Sequence, residues 1–276
     1  MSLLTDDPKL WRLASHTVGF LKIVPISLEK RSFQECGSGV LAEVGGIKGV
    51  ITAGHVIREL QAYERGAVFP SLRQPGAPKP FEFGLSDCQQ IIIGGSDSSA
   101  NGPDLGFIRL PYNVEQRLQD NWLFYNFSVR LKHAIENAEE TPLDHELICG
   151  VVAEKTMLIT ETERSVSRTY VTALAYGGSF NGRPGPDGYD LFDFIIRHNE
   201  EVSRPSSYGG MSGSAIWKIG STDAAVDRLI CGIAFYETEP DERGNRTIVC
   251  HGPECIYGLL VDRIREAFPK EFQIPY

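Results

Sequence analysis

Ser212 lies in a glycine-rich turn, residues 208–217 (YGGMSGSAIW), that leads into an apolar segment. Glycines on both sides of a serine allow a sharp backbone bend, so the hydroxyl can stand at the tip of the turn. Neighbouring amides, here those of Gly210 and Ser212, could then stabilise an oxyanion. The turn predicts a nucleophilic serine, although its composition is also typical of an ordinary tight loop.

A serine hydroxyl becomes a nucleophile when a base takes its proton and a carboxylate orients that base. Among six histidines, His55 follows an apolar β-branched run, residues 49–56 (GVITAGHV). Asp104 opens a short apolar segment, residues 103–110 (PDLGFIRL). Taken alone, His55 is typical of a core histidine bonded to a backbone carbonyl, and Asp104 of a turn aspartate. Taken with Ser212, they supply the base and the orienting carboxylate.

Three sequence blocks resemble the chymotrypsin-like (trypsin-like) serine peptidases. Residues 52–55 (TAGH) resemble the family's T-A-A/G-H block, residues 104–107 (DLGF) its D-[hydrophobic]-[small]-[hydrophobic] block, and residues 210–213 (GMSG) its G-x-S-G block. The order histidine, aspartate, serine is also that of the family. An α/β-hydrolase would present the serine first, and its G-x-S-x-G elbow fails at Ser214. The resemblance implies an all-β fold, a chymotrypsin-like double β-barrel with a C-terminal helix.

The segments that must hold these residues have the sequence pattern of a β-barrel, in which short apolar runs are separated by turn clusters. We predict a lead-in at residues 1–15, a first barrel at 16–112 with His55 and Asp104, a partly helical linker at 113–146, and a second barrel with Ser212 and the C-terminal helix at 147–276. Strands are expected at residues 18–24, 147–152, 169–174, 190–196, 229–236 and 255–261, and a short amphipathic helix at 262–268.

The resemblance also implies where a substrate side chain would bind. Ser206 stands six residues before the nucleophile, at the family's pocket base, where no aspartate supports a preference for Arg or Lys. Phe235, Tyr236 and Glu237 resemble the segment that pairs with the substrate backbone and walls the pocket. Cys255 is expected on a strand that lines the same pocket.

Glu237 leaves two specificities open. If its side chain points to solvent, the pocket is neutral and accepts small or medium apolar side chains. If it points inward, it can pair with Arg or Lys. We favour the neutral pocket because Tyr236 offers a glutamate no partner. Met211 replaces the aspartate that serves zymogen activation in many relatives, so we expect a protein that is built active or regulated in another way.

Composition limits the partners and the location. The 276 residues carry a net charge of −9, which disfavours nucleic acid and anionic membranes as partners. We find neither an apolar run of about 18 residues nor the pattern of a secretory signal. We therefore interpret the chain as a cytoplasmic, bacterial-type intracellular member of the family.

The cysteine pattern disfavours disulfides. Val56 stands where secreted relatives carry a cysteine, and Cys149 and Cys231 lie in apolar runs, where a free thiol behaves as a small hydrophobe. We therefore expect all six cysteines of the sequence to be reduced.

The function predicted from these residues is that of a serine endopeptidase that acts on polypeptides and needs no cofactor. A zinc site from Cys250, His251 and Cys255 lacks a second ligand pair, so no metal is expected. The sequence is compatible with a regulatory partner, but no motif in it identifies one. The alternative function is a proteolytically silent peptide-binding or regulatory module of the same fold.

Overall fold

A computed structural model describes residues 8–27, 30–70, 80–95, 101–120, 122–129, 145–155, 173–185, 188–196, 205–220, 228–242 and 244–273. These residues form two antiparallel β-barrel layers and a C-terminal helix, which confirms the expected fold class. None of the helices in these ranges is long and apolar enough to cross a membrane.

The first layer is a curled half-barrel of eight strands. They are β1 (Thr17–Ser27), β2 (Lys30–Val44), β3 (Ile47–Thr52), β4 (Arg65–Pro70), β5 (Phe81–Gly84), β6 (Gln89–Ile93), β7 (Leu105–Arg109) and β8 (Tyr125–Asn126). The strand order is β5-β4-β1-β2-β3-β7-β6, and β8 pairs in parallel with β2. Since β8 lies beyond residue 112, part of the predicted linker belongs to this sheet.

The second layer is a closed six-stranded barrel. Its strands are β9 (His145–Val151), β10 (Ala173–Pro184), β11 (Asp190–Ile196), β12 (Ala215–Ile219), β13 (Arg228–Glu237) and β14 (Thr247–His251). They follow one another in the order β10-β11-β14-β13-β12-β9, and β9 closes the barrel on β10. Most of the strand predicted at residues 169–174 lies outside the described residues, since β10 is described from Ala173 onward.

Four α-helices have bounds within the described residues, and residues 127–129 are helical as well. The four are α1 (Pro8–Ala14), α2 (Gly54–Gln61), α3 (Tyr112–Gln119) and α4 (Leu260–Ala267), the last preceded by a π-helical turn at Glu254–Leu259. In α2 the residues Val56, Ile57 and Leu60 are buried at the spacing of one helix face. This face anchors the helix that carries His55.

The strand predicted at residues 255–261 is wrong, because this segment is helical. The carboxylate of Asp190 accepts hydrogen bonds from the amides of Glu254 and Cys255 at 2.7 and 2.8 Å. These amides open the helical segment and would otherwise lack acceptors. A short apolar run does not distinguish a strand from a buried helix, and the partner that favours the helix is 64 residues away.

The C-terminal helix packs on the first sheet, against β6 and β7. Arg109 in β7 forms an ion pair with Glu271 at 2.8 Å, and its guanidinium lies 5.2 Å from the ring centre of Phe268. The amide of Gln273 bonds the carbonyl of Gly45 at 2.8 Å. The segment after the second barrel therefore returns to the first.

Candidate active site

The pairing of β3 with β7 brings His55 and Asp104 together. Thr52 pairs with Gly106, so the end of β3 lies beside the start of β7. Gly54 begins α2 directly after β3, and Asp104 directly precedes β7. Two residues 49 positions apart in sequence thus become neighbours through one antiparallel pair.

The Asp104 carboxylate is fully buried and holds His55 at two points, the backbone amide and the ring. Oδ1 accepts from the amide of His55 at 2.8 Å, and Oδ2 bonds Nδ1 of the His55 ring. With Nδ1 as the donor, Nε2 is left to accept a proton. A Cβ on Gly54 would lie 2.8 Å from Oδ1, so a larger residue would crowd the carboxylate.

Two further side chains hold Asp104. Nη2 of Arg58 donates to Oδ1 at 2.6 Å. The amide of Asp104 donates to Nε2 of His251 at 2.9 Å. His251 is fully buried, and its burial lowers the pKa of the imidazole to about 4. Its ring stacks on that of Phe235 with 4.4 Å between centroids.

The turn that carries Ser212 is shaped by its glycines and tied to the first sheet. Gly210 and Gly213 both have φ of +90°, a conformation that other residues rarely adopt. Ser38 in β2 donates from its amide to the Ser212 carbonyl and from its hydroxyl to the Gly210 carbonyl, each at 2.7 Å. The hydroxyl of Ser38 also accepts from the amide of Val151 at 2.8 Å. Ser38 therefore connects both barrels to the turn.

The amides of Gly210 and Ser212 donate to no protein acceptor in the described part of the chain. The carbonyls that share a peptide plane with these two amides are both held: that of Gly209 accepts from the Ala153 amide at 2.8 Å, and that of Met211 accepts from the Ser214 amide at 2.9 Å, so both N–H groups have a fixed orientation. Free, fixed amides are suited to stabilising an oxyanion. A Cβ on Gly210 would lie 2.7 Å from Oε1 of Glu35, whose carboxyl pKa is raised to about 7, chiefly by burial and also by Glu59.

His55 and Ser212 line one cleft of about 270 Å³. No hydrogen bond joins the Ser212 hydroxyl to the His55 ring, although both residues are described. Catalytic hydrogen bonds are often long without substrate and shorten when it binds. The remaining lining residues are Tyr208, Gly209, Met211, Ala234, Phe235, Tyr236, Glu237 and Ile248.

Two residues predicted for the substrate pocket lie outside this cleft. Ser206 is exposed, and its amide and hydroxyl both bond Oε2 of Glu154, at 2.7 and 2.5 Å. Cys255 lies in the π-helical turn rather than on a strand, with its amide bonded to Asp190. The position of Ser206, counted back from the serine, therefore does not coincide with the cleft, and its polar groups are engaged by Glu154 instead.

Glu237 takes neither of the orientations considered for it. Its carboxylate accepts from the Ser207 hydroxyl at 2.8 Å and the Tyr208 amide at 3.0 Å. Nη1 of Arg246 lies 3.2 Å from Oε1, and the Glu237 side chain is 18 % exposed. The negative charge of Glu237 is therefore part of the cleft wall, and it is already paired with Arg246.

Sequence reasoning missed Arg58, His251, Ser38 and Glu35 as parts of the site. Arg58 had a local signal, because it lies three residues after His55 and such residues share a helix face. His251 had been weighed as a zinc ligand and instead accepts a hydrogen bond from Asp104. Across the described residues, no group of three or more His, Cys, Asp or Glu side chains is arranged to hold a metal.

No protein-family model matches the chain, and no curated protein matches it. Among solved structures, the Drosophila clip serine protease Grass of the Toll pathway matches with a TM-score of 0.55 and 12 % identity, over 94 % of this chain and 70 % of that one. A chain from a structure concerned with the intrinsically disordered VPg protein of Sesbania mosaic virus has a TM-score of 0.44 and 12 % identity, over 88 % of each chain. The first match shows a shared chymotrypsin-like fold, and the second is too low in TM-score to support a conclusion.

Proposed function

We propose that the protein is a serine endopeptidase. The Ser212 hydroxyl attacks the scissile carbonyl carbon and gives its proton to Nε2 of His55, while Asp104 holds the Nδ1–H. The amides of Gly210 and Ser212 stabilise the oxyanion. His55 then protonates the leaving amine, and water hydrolyses the acyl-enzyme through the same base. None of these steps needs a cofactor.

One observation carries this proposal. His55, bonded at Nδ1 to the buried Asp104, and Ser212, between two unengaged amides, line the same cleft. An ordinary core histidine would not need a buried carboxylate on one ring nitrogen and an open cleft at the other. His55 and Asp104 come together within the first sheet, and Ser212 is brought to the same cleft by a turn of the second barrel.

The cleft supports a preference for small or medium apolar side chains before the cleaved bond. Met211, Ala234, Phe235 and Ile248 give it an apolar lining. Glu237 is paired with Arg246, so its charge is compensated before a substrate binds. A cationic substrate side chain would therefore gain little from it.

The competing function is a proteolytically silent peptide-binding or regulatory module. The missing hydrogen bond between Ser212 and His55 is the observation in its favour. A cytoplasmic location, a polypeptide substrate, a bacterial-type affiliation, and the absence of nucleic-acid, membrane and cofactor partners all stay predictions from the sequence.

Labelling with a fluorophosphonate tests the two functions against each other, because this reagent reacts with activated serines. We expect one label, mapped by mass spectrometry to the peptide containing Ser212. Ser212→Ala should abolish it, and Ser206→Ala, which removes an exposed hydroxyl outside the cleft, should leave it unchanged. A folded protein that takes no label at Ser212 would support the silent module.

A further inference from the structure

Arg58 makes the one ion pair described for the Asp104 carboxylate apart from that with His55. Its Nη2 lies 2.6 Å from Oδ1, and the Arg58 side chain is 23 % exposed while Asp104 is fully buried. Oδ1 also accepts from the His55 amide, and Oδ2 bonds Nδ1 of the His55 ring. One carboxylate is therefore shared between the imidazole and the guanidinium.

Burying a carboxylate without a countercharge is strongly destabilising, because the charge loses its hydration and gains no partner. In the proposed mechanism His55 begins as the base that accepts the Ser212 proton, so it supplies Asp104 with hydrogen bonds and no countercharge. His251 faces Asp104 as a hydrogen-bond acceptor, through Nε2, and Asp190 is a second acid near His251. Neither supplies a positive charge, so the compensation comes from Arg58.

The position of Arg58 also sets the orientation of the carboxylate. His55 and Arg58 lie three residues apart on α2, so both side chains leave the same helix face. One contacts Oδ2 and the other Oδ1. Rotation of the carboxylate would break the bond to Arg58 together with the bond to Nδ1 of His55.

We propose that Arg58 is a positioning residue for the triad, an inference that rests on the proposed function. It compensates the charge of Asp104 and keeps Oδ2 directed at the His55 ring. Arg58 does not line the cleft and so acts on the reaction only through Asp104. Its own charge opposes a positive charge on His55, but the carboxylate lies between the two groups and its attraction dominates.

The first test compares Arg58→Lys, Arg58→Gln and Arg58→Ala by steady-state kinetics. We expect Gln and Ala to lower kcat by about 10- to 100-fold, the loss of one hydrogen bond between charged groups, with KM changed less than about 3-fold. Lys keeps the charge and should retain most of kcat. Arg65→Gln is the matched control, because Arg65 pairs with Glu82 on exposed surface. A kcat within 2-fold of wild type in both Gln and Ala variants would overturn the proposal.

The second test does not depend on activity. The proton between Nδ1 of His55 and Asp104 should give a far-downfield proton NMR resonance, assigned by its loss in His55→Gln. Arg58→Gln should shift or abolish this resonance, and Arg58→Lys should keep it. If it is unchanged in Arg58→Gln, the positioning role is wrong even where kcat falls. If the protein proves to be silent as a peptidase, the resonance still reports whether Arg58 holds Asp104. Should Arg58→Ala not fold, the Gln and Lys variants decide both tests.

Discussion

The amide of Asp104 donates to Nε2 of His251 over 2.9 Å, which links the segment before β7 to the last strand of the second barrel. His251 is fully buried and stacks on Phe235 in the cleft wall. Within the described residues, Nδ1 of His251 has no hydrogen-bond partner. The candidate acid is therefore held from both barrels, by Arg58 on one side and by a neutral histidine on the other.

This arrangement predicts a loss of stability in acid. Burial lowers the pKa of His251 in the folded state to about 4, below its unfolded value of 6.5. The unfolded chain therefore binds the proton first, and stability present above pH 6.5 is lost as the pH falls toward 4. Between pH 7 and 5 this histidine should cost about 2 kcal/mol of unfolding free energy. Urea unfolding at both pH values should show that loss in wild type and a smaller one in His251→Gln. Equal losses would contradict the assignment.

Glu35 predicts the opposite pH dependence. Its folded-state pKa is raised to about 7 from an ordinary 4.5, so the folded protein holds the proton more tightly than the unfolded chain. Stability should therefore fall as the pH rises from 4.5 to 7. Glu35→Gln should raise the free energy of unfolding at pH 8 by about 3 kcal/mol. Glu43→Gln, on the same strand and 4.0 Å from Lys48, is the control and should show no such gain. A destabilised Glu35→Gln protein at pH 8 would argue against a buried, strained carboxyl.

The proposed triad predicts strongly non-additive kinetics. Ser212→Ala and His55→Ala should each lower kcat on a peptide substrate by about 10⁴- to 10⁶-fold, and the double variant should be no worse, because the residues act as a unit. Initial rates measured with each variant at saturating peptide give the comparison. Full activity in Ser212→Ala would exclude this serine as the nucleophile.

The Glu237–Arg246 pair predicts how specificity can be changed. Arg246→Gln should leave the Glu237 carboxylate without its countercharge beside the cleft and raise the preference for Arg or Lys on the order of tenfold, the factor that about 1.4 kcal/mol gives. Glu237→Gln should remove this gain in the double variant. Cleavage of a peptide library by the three variants and wild type measures it. A wild-type enzyme that already prefers basic residues, and loses this preference in Glu237→Gln, would contradict the neutral cleft.

The cysteines predict a full count of thiols. All six are free in the structure, and five are buried. Because burial raises the pKa of Cys149 to about 11 and that of Cys231 to about 12, these two thiols should react slowly in the folded protein. Titration with a thiol reagent in denaturant without reductant should find six. A count of two or fewer would overturn both the reduced state and the cytoplasmic location.

The sequence predicted the double barrel and the candidate triad His55, Asp104 and Ser212, because each of these three residues lies in a short contiguous block. Strand β3 with its TAGH ending, strand β7 with its leading aspartate, and the GMSG turn each carry their signal within a few positions. The order of the blocks along the chain, histidine then aspartate then serine, adds information that no single block contains. Local patterns are thus sufficient to select the candidate catalytic residues.

The rest depends on contacts between distant residues, which no local pattern encodes. His251 is 147 positions from Asp104, and Asp190 opens the terminal helix from 64 positions away. The apolar run at residues 255–261 is compatible with a strand and with a buried helix. Only the hydrogen bonds to Asp190 favour the helix. The prediction that Ser206 forms the base of the pocket was made by counting residues back from Ser212. Its hydrogen bonds go to Glu154 instead.

Ser38 makes the conformation of the Ser212 turn depend on the contact between the two barrels. Its bonds to Ser212, Gly210 and Val151 hold the nucleophile turn only when the two barrels are docked. Neither half of the chain alone would contain a finished site. If the proposed function holds, a chain divided within residues 130–144, after β8 of the first sheet, would therefore give two inactive fragments whose reassociation restores hydrolysis. Such a pair would work as a split-protein complementation reporter, in which the rate of product formation measures the amount of reassociated fragments.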